Sequence, residues 1–126
     1  MVKQDQIKRS SCPVSCALDI LGDKWTLLVI RDLMFMRKQY FGDFLMSPEK
    51  IASNILSDRL RKLEESNIVS RQRDPGNARR VIYTLTEKGH DLSPAILELL
   101  RWGSKHDPAS DAQEFLSQYP NTSSHN

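Results

Sequence analysis

Cysteine is scarce in this chain: Cys12 and Cys16 lie four positions apart, both near the N-terminus. A loop that short staples no fold usefully, so a reducing compartment fits the pair. The spacing is also not the C-x-x-C of a small thiol redox protein, and no βαβ pattern accompanies it. Histidine is equally sparse, and His90, His106 and His125 are too scattered to form a cluster with metal-ligand spacing. No glycine-rich stretch could cradle a phosphate, and no nucleophile motif or paired acids stand in a catalytic setting. The chain is therefore read as a non-enzyme with no metal and no cofactor. Long apolar runs are missing too. Stretches such as residues 27–30 fall far short of a membrane span, and residues 1–10 lack the apolar centre of a signal peptide. The expectation is a cytoplasmic protein without a membrane partner.

What is present fits one domain with tails: 126 residues with 39% hydrophobic and 27% charged side chains. The net charge of +2 is informative only once divided along the chain. Residues 1–49 carry seven basic and six acidic groups, residues 50–90 nine and five, and residues 91–126 two and five. Positive charge thus gathers in the middle, where a polyanion partner would need it.

Residues 1–11 are polar, carry Lys3, Lys8 and Arg9, and read as a flexible N-terminal arm. Pro13 suits the first position of a helix reaching Leu21, with Cys12 as its N-cap and Gly22 as its end. Asp23 can cap the next helix, over residues 24–36, which is apolar on most sides and should be the central buried one. Phe41, Phe44 and Leu45 mark a short helix within residues 40–46, broken at Ser47-Pro48.

From Ile51 to about residue 66 the helical period divides the side chains sharply. Ala52, Ile55, Leu56, Leu60 and Leu63 gather on one side. Lys50, Asn54, Ser57, Asp58 and Arg61 gather on the other, with Ser53 at the border. Arg59 projects from the apolar side, where it needs a carboxylate partner, so it is assigned a structural ion pair before any base contact. Residues 68–73 and 80–85 are β-like runs joined by the turn-forming residues 74–79. Val81, Tyr83 and Leu85 should face inward, and the tip carries Arg79 and Arg80 with Arg71 and Arg73 close behind.

Thr86 can cap a further helix, which Pro94 either kinks or restarts with Ser93 as cap. Its apolar residues Leu92, Ile96, Leu99, Leu100 and Trp102 are more than a lone terminal helix needs, which points to a dimer interface. Ser110 with Gln113 is a capping-box pattern for a short last helix, followed by a tail read as disordered. The domain reading is therefore an arm over residues 1–11, a folded unit over 12–106, and a short helix with tail over 107–126.

Several separated motifs then stand in order: Cys12-Pro13-Val14, Ala17-Leu18, Gly22-x-Lys24-Trp25-Thr26-Leu27-Leu28, Phe41-Gly42-Asp43, Leu56-Ser57-x-Arg59-Leu60-x-x-Leu63, Val81-x-Tyr83-x-Leu85-Thr86-x-x-Gly89 and Trp102-Gly103. By these residues the chain resembles the HxlR family of bacterial winged-helix transcriptional regulators, relatives of the MarR group. The resemblance implies a mostly α (α+β) winged helix-turn-helix with N- and C-terminal dimerisation helices. It also implies a homodimer that places one recognition helix per subunit, here residues 51–66, in the major groove of a palindromic operator.

On the exposed helix face, Asn54 can bond bidentately to adenine and Arg61 can reach guanine or phosphate, while Ser53 and Ser57 suit phosphate or either base. Lys50 and Asp58 belong to the same candidate DNA-binding face. Arg71, Arg73, Arg79 and Arg80 are its hairpin part, with Arg79 and Arg80 expected on backbone phosphate or in the minor groove. Cys12 has two readings. A thiol at a helix N-terminus, just after Lys8 and Arg9, favours thiolate and would respond to an oxidant or small electrophile; several members of the resembled family use the matching cysteine so. Alternatively Cys12 caps and packs a helix. The rival function is a winged-helix protein–protein interaction module without DNA readout, which would need apolar residues where Asn54, Ser57 and Arg61 stand.

Overall fold

A computed structural model describes residues 9–107. Its elements in order are α1 (Pro13–Leu21), α2 (Thr26–Met34), α3 (Phe41–Phe44), α4 (Ser53–Glu65), β1 (Val69–Asp74), β2 (Asn77–Leu85), α5 (Glu87–His90) and α6 (Ser93–His106). The fold is mixed α+β: a helical body with one antiparallel hairpin, β1 paired to β2. The short last helix expected near Ser110 and the tail lie outside the described residues, as does most of the N-terminal arm. Residues 9–11 of that arm fold back on α1, where Arg9 pairs with Asp19 at 2.7 Å.

The core is one cluster. Val29, Ile30 and Leu33 of α2 meet Phe44 of α3, Leu56, Leu60 and Leu63 of α4, Ile68 and Val69 at the start of the hairpin, and Ile96 of α6. As its apolar pattern requires, α2 is central, and truncating a fully buried member such as Leu60 to alanine costs ~2–5 kcal/mol. Asp23 caps α2 as expected: its Oδ1 accepts the N–H groups of Trp25 and Thr26 at 2.9 and 3.0 Å, and its Oδ2 accepts from the Thr26 hydroxyl.

A buried polar knot inside the helical body was not foreseen. Asp32, only 3% exposed on α2, accepts from Arg31 and from the Ser47 hydroxyl. Arg31 also grips Glu49 with both terminal nitrogens at 2.8 Å, and Lys38 donates to Ser47. Burial opposes the Arg31 charge, but the two carboxylates outweigh it and hold the guanidinium above its ordinary pKa. The knot ties α2 to the loop that enters α4.

That loop corrects the expected start of α4. Lys50 takes a left-handed backbone, φ 56°, and donates its N–H to the Ser47 carbonyl, so it precedes the helix instead of lying on its polar face. Ile51 is buried beneath it, and the helix begins only at Ser53. The far end of α4 closes by Asn67, φ 63°, with Ile68 N–H donating to Leu63 O at 2.9 Å and Asn67 N–H to Glu64 O at 3.0 Å. Asparagine tolerates that left-handed site, and the closure sends the chain directly into β1.

The hairpin is tighter than expected, because β2 starts at Asn77 and only Pro75-Gly76 lie between the strands. Asp74 Oδ1 accepts the Gly76 N–H at 2.9 Å and Asn77 Oδ1 the Arg79 N–H at 3.1 Å, so side chains close the turn. Beyond it, Thr86 caps α5 by accepting the Gly89 N–H, and the chain restarts at α6 with Pro94 in its first turn. Gly89 has a spatial reason: a Cβ there would stand 2.4 Å from the Ile68 carbonyl oxygen.

Candidate nucleic-acid interface

On α4 the helical period sorts most side chains as expected: Leu56, Leu60 and Leu63 are buried, while Ser53, Asn54, Ser57 and Arg61 are exposed; Ala52, expected on the apolar side, precedes the helix and is exposed. Arg59 is held out of that exposed set. Its Nε donates to Asp23 Oδ1 at 2.9 Å and its Nη1 to Asp58 Oδ2 at 2.5 Å, with the side chain 22% exposed. Desolvation pushes the Asp23 carboxyl upward, but hydrogen bonds from Thr26, Arg59 and two backbone N–H groups prevail and hold it well below the usual carboxylate range. The ion pair assigned to Arg59 is thus present, and it fixes α4 to the start of α2.

Asp58 behaves differently from its neighbours on the exposed face. Its carboxylate accepts from Arg61 at 2.8 Å and lies 3.3 Å from Lys62, besides meeting Arg59. Hydrogen bonding from Arg61 comes first among the causes that keep it ionised. Arg61 is further held by Glu65 at 3.0 Å. Both cations of the helix surface are therefore occupied by acids of the same helix, and a phosphate must compete for them.

The wing, β1–β2, packs beside α4 and carries the remaining candidates. Arg71, Arg73 and Arg79 line an open groove of about 410 Å³ together with Gln72, Ala78 and Val81. The pairings Arg71↔Tyr83 and Arg73↔Val81 put both arginines on the same hairpin face as those two residues. Tyr83 and Leu85 pack on the core, whereas Val81 lies beyond it beside the groove. Arg73 donates to the Ala78 carbonyl at 2.8 Å, bracing the tip. Arg80, expected with Arg79 on backbone phosphate or in the minor groove, makes a contact within the chain. Its guanidinium lies over the ring of Tyr40, 3.5 Å from the centroid. The Tyr40 hydroxyl donates to Asp74 Oδ2 at 2.7 Å, which raises the phenol pKa and lowers that of the carboxylate. Nothing in the turn sequence signals this contact, because Tyr40 stands far from the turn in the chain.

At the N-terminus, Cys12 is exposed and takes the N-cap position of α1. The thiol makes no capping hydrogen bond of full geometry, yet the nearby N–H groups of Ser15 and then Val14 favour its thiolate and lower its pKa. The neighbouring cation expected from Arg9 is committed to Asp19 instead, so the helix end supplies the shift. Cys16 is half-buried, its Sγ 3.6 Å from the Ser10 carbonyl.

The apolar residues of α6 divide. Ile96 is buried in the chain's own core with Leu92 packed against it, as is Leu97, which the sequence reading passed over. Leu99 and Trp102 are 54% and 67% exposed, and Leu100 is half-buried. On α1 no residue is buried, and Val14 and Leu18 are 66% and 51% exposed.

The profile of the HxlR-like helix-turn-helix family matches residues 20–111. The chain belongs to that family. Among its relatives is the uncharacterized HTH-type transcriptional regulator YdeP of Bacillus subtilis, 35% identical over 103 residues that cover 82% of this chain and 80% of that one. The regulator YodB of the same bacterium is 37% identical over 95 residues, 75% of this chain and 84% of its own. The structure of reduced YodB superposes with a TM-score of 0.61 at 32% identity, covering 81% of this chain and all of that one. That of the oxidised redox regulator HypR superposes with 0.65 at 31% identity, covering 75% and 97%. YodB has also been solved quinone-bound and HypR reduced. As an HxlR member the chain carries a DNA-binding helix-turn-helix of a transcription regulator; the matched range begins after Cys12. Among the described residues, no helix is long and apolar enough to cross a membrane.

Proposed function

We propose that this HxlR protein is a sequence-specific transcriptional regulator that binds a palindromic operator as a homodimer. One observation carries the reading. The polar face of α4, with Ser53, Asn54 and Ser57 exposed, is fixed from behind by the Arg59–Asp23 pair and flanked by the arginine-lined groove of the wing. Exposed amide and hydroxyl groups on a rigid helix suit base edges, and flexible arginines suit phosphate. Asn54 and Ser57 are the readers, with Ser53 and Lys50 on the backbone at the helix start. Arg61 joins them once it exchanges Asp58 and Glu65 for DNA, and Arg71, Arg73 and Arg79 supply charge.

The homodimer reading rests on the apolar surface the fold leaves uncovered on α1 and α6, chiefly Val14, Leu18, Leu99 and Trp102. These helices and the helix-turn-helix form the unit 12–106, to which residues 9–11 are joined by the Arg9–Asp19 pair. Cys12 is the site at which an oxidant or small electrophile acts. Its exposure and lowered pKa support this, as do the redox and quinone-bound states of the relatives HypR and YodB. The test is a gel shift with DNA from upstream of the chain's own coding sequence, with and without an oxidant. Binding that oxidant changes in the native protein and leaves unchanged in Cys12→Ser is expected; indifference of the native protein to oxidant removes Cys12 from the mechanism.

A further inference from the structure

Two strands alone make a marginal structure in water, and the tip of this hairpin is poorly held by its ladder. Arg73 pairs with Val81 and Asp74 with Asn77, so Ala78, Arg79 and Arg80 of β2 have no opposite residue. The tip is nonetheless attached to the body through α3. Tyr40, the N-cap of α3, reaches both strands: its hydroxyl bonds Asp74 at the end of β1, and its ring lies under the Arg80 guanidinium of β2. Asp74 extends this contact into the turn through Gly76 N–H. The same short segment holds the wing lower down, where Tyr83 N–H donates to Gln39 O at 2.9 Å and Phe44 meets the Tyr83 ring edge-on at 6.4 Å.

Tyr40 itself is fixed, because Asp43 accepts its backbone N–H at 3.3 Å and its carbonyl accepts the Asp43 N–H at 2.9 Å. Since α3 leads into α4, one side chain links the first part of the helix-turn-helix to the arginines of the wing. Resting on the DNA-binding function proposed above, we infer that Tyr40 is a positioning residue for operator recognition. It sets where the wing cations stand relative to α4, and Arg80 acts through Tyr40 instead of on phosphate.

A planar guanidinium stacks on a ring in a way that a lysine ammonium does not reproduce, so charge and stacking can be separated. The experiment measures binding to the upstream duplex and to a scrambled duplex across a salt series. The proteins are the native chain, Tyr40→Ala, Tyr40→Phe, Arg80→Ala, Arg80→Lys, Arg79→Ala and the Tyr40→Ala/Arg80→Ala double variant. Tyr40→Ala should weaken binding about fivefold and flatten the salt dependence by about one phosphate contact, although it removes no charge. Arg80→Lys should bind like Arg80→Ala, and the double variant no worse than Tyr40→Ala alone. Unchanged affinity and slope in Tyr40→Ala, or losses that multiply in the double variant, would overturn the inference.

If Tyr40→Ala does not fold, Tyr40→Phe carries the test in DNA-free protein: amide exchange over residues 77–81 should quicken when the Asp74 bond is lost. Unaltered exchange there counts against the clamp. A native chain that binds neither duplex refutes the functional proposal instead, and the exchange measurement still decides whether Tyr40 holds the wing.

Discussion

Arg59 of α4 donates its Nε to Asp23 Oδ1 at 2.9 Å, and the same oxygen caps α2 through the N–H groups of Trp25 and Thr26. One carboxylate therefore both starts the central helix and fixes α4 against it. Asp23→Asn keeps the shape and removes the charge. Its amide oxygen can still accept the two cap N–H groups, so urea unfolding should show a loss of only ~0.2–1 kcal/mol, the scale of a solvent-screened ion pair, whereas Asp23→Ala, which removes the cap as well, should lose ~1–2 kcal/mol. The folded pKa of Asp23 is depressed, as is that of Glu49 through its bonds from Arg31. Stability from both is present above the unfolded carboxylate pKa, about 4, and is lost as pH falls through that value toward the folded one. Melting curves should fall more steeply between neutral pH and about pH 3 in the native chain than in Asp23→Asn.

Gly89 is held by space, with the Ile68 carbonyl 2.4 Å and a Leu85 methyl 2.8 Å from where a Cβ would stand. Both neighbours belong to the hairpin, and the carbonyl also accepts the Thr86 N–H at 3.0 Å. Gly89→Ala should destabilise by ~1–3 kcal/mol, the cost of forcing atoms into a packed site. Denaturation midpoints for this variant against Gly42→Ala, where no atom lies within 4 Å, make the comparison.

Asp58 occupies Arg61 and Lys62, so it competes with phosphate for the cations of α4. Asp58→Asn should bind both specific and scrambled duplexes about two- to fivefold more tightly, since surface ion pairs of this kind are worth ~0.2–1 kcal/mol each. Anisotropy titrations on the two duplexes would expose the opposite case, in which Asp58→Asn weakens binding and the carboxylate itself reads a base.

The exposed Leu99 and Trp102 on α6 carry the dimer proposal. Leu99→Glu with Trp102→Glu should lower the mass seen in sedimentation to that of one chain while leaving the helical circular dichroism in place. An unaltered mass would move the interface elsewhere.

The helical elements were legible where period and caps agree. The two faces of α4, the cap at Asp23 and the partner required by Arg59 all follow from residue type and spacing, because a long helix repeats its signal several times. The start of α4 was not legible, since Ile51 is apolar on the right side of the wheel and only its loop burial separates it from a helical residue. Nor was the knot of Arg31, Asp32, Ser47 and Glu49, whose members come from separate segments. In the candidate site, the wing arginines could be counted from sequence but not ranked. Arg79 and Arg80 look alike in the chain, and only the placement of Tyr40 on α3 distinguishes the one that stacks. Likewise Leu92, Ile96 and Trp102 share one helical pattern, while the fold spends the first two on its own core.

The proposed division of labour is that α4 reads bases while the wing supplies charge. Its most direct measurement is the affinity of Asn54→Ala and Arg79→Ala for an operator found by footprinting and for a set of single-base variants of it. Asn54→Ala should lose ~1–3 kcal/mol and relax discrimination at one position in each half-site; Arg79→Ala should weaken every sequence alike and flatten the salt slope by about one. A uniform loss in Asn54→Ala, or a loss confined to one base in Arg79→Ala, would contradict the account.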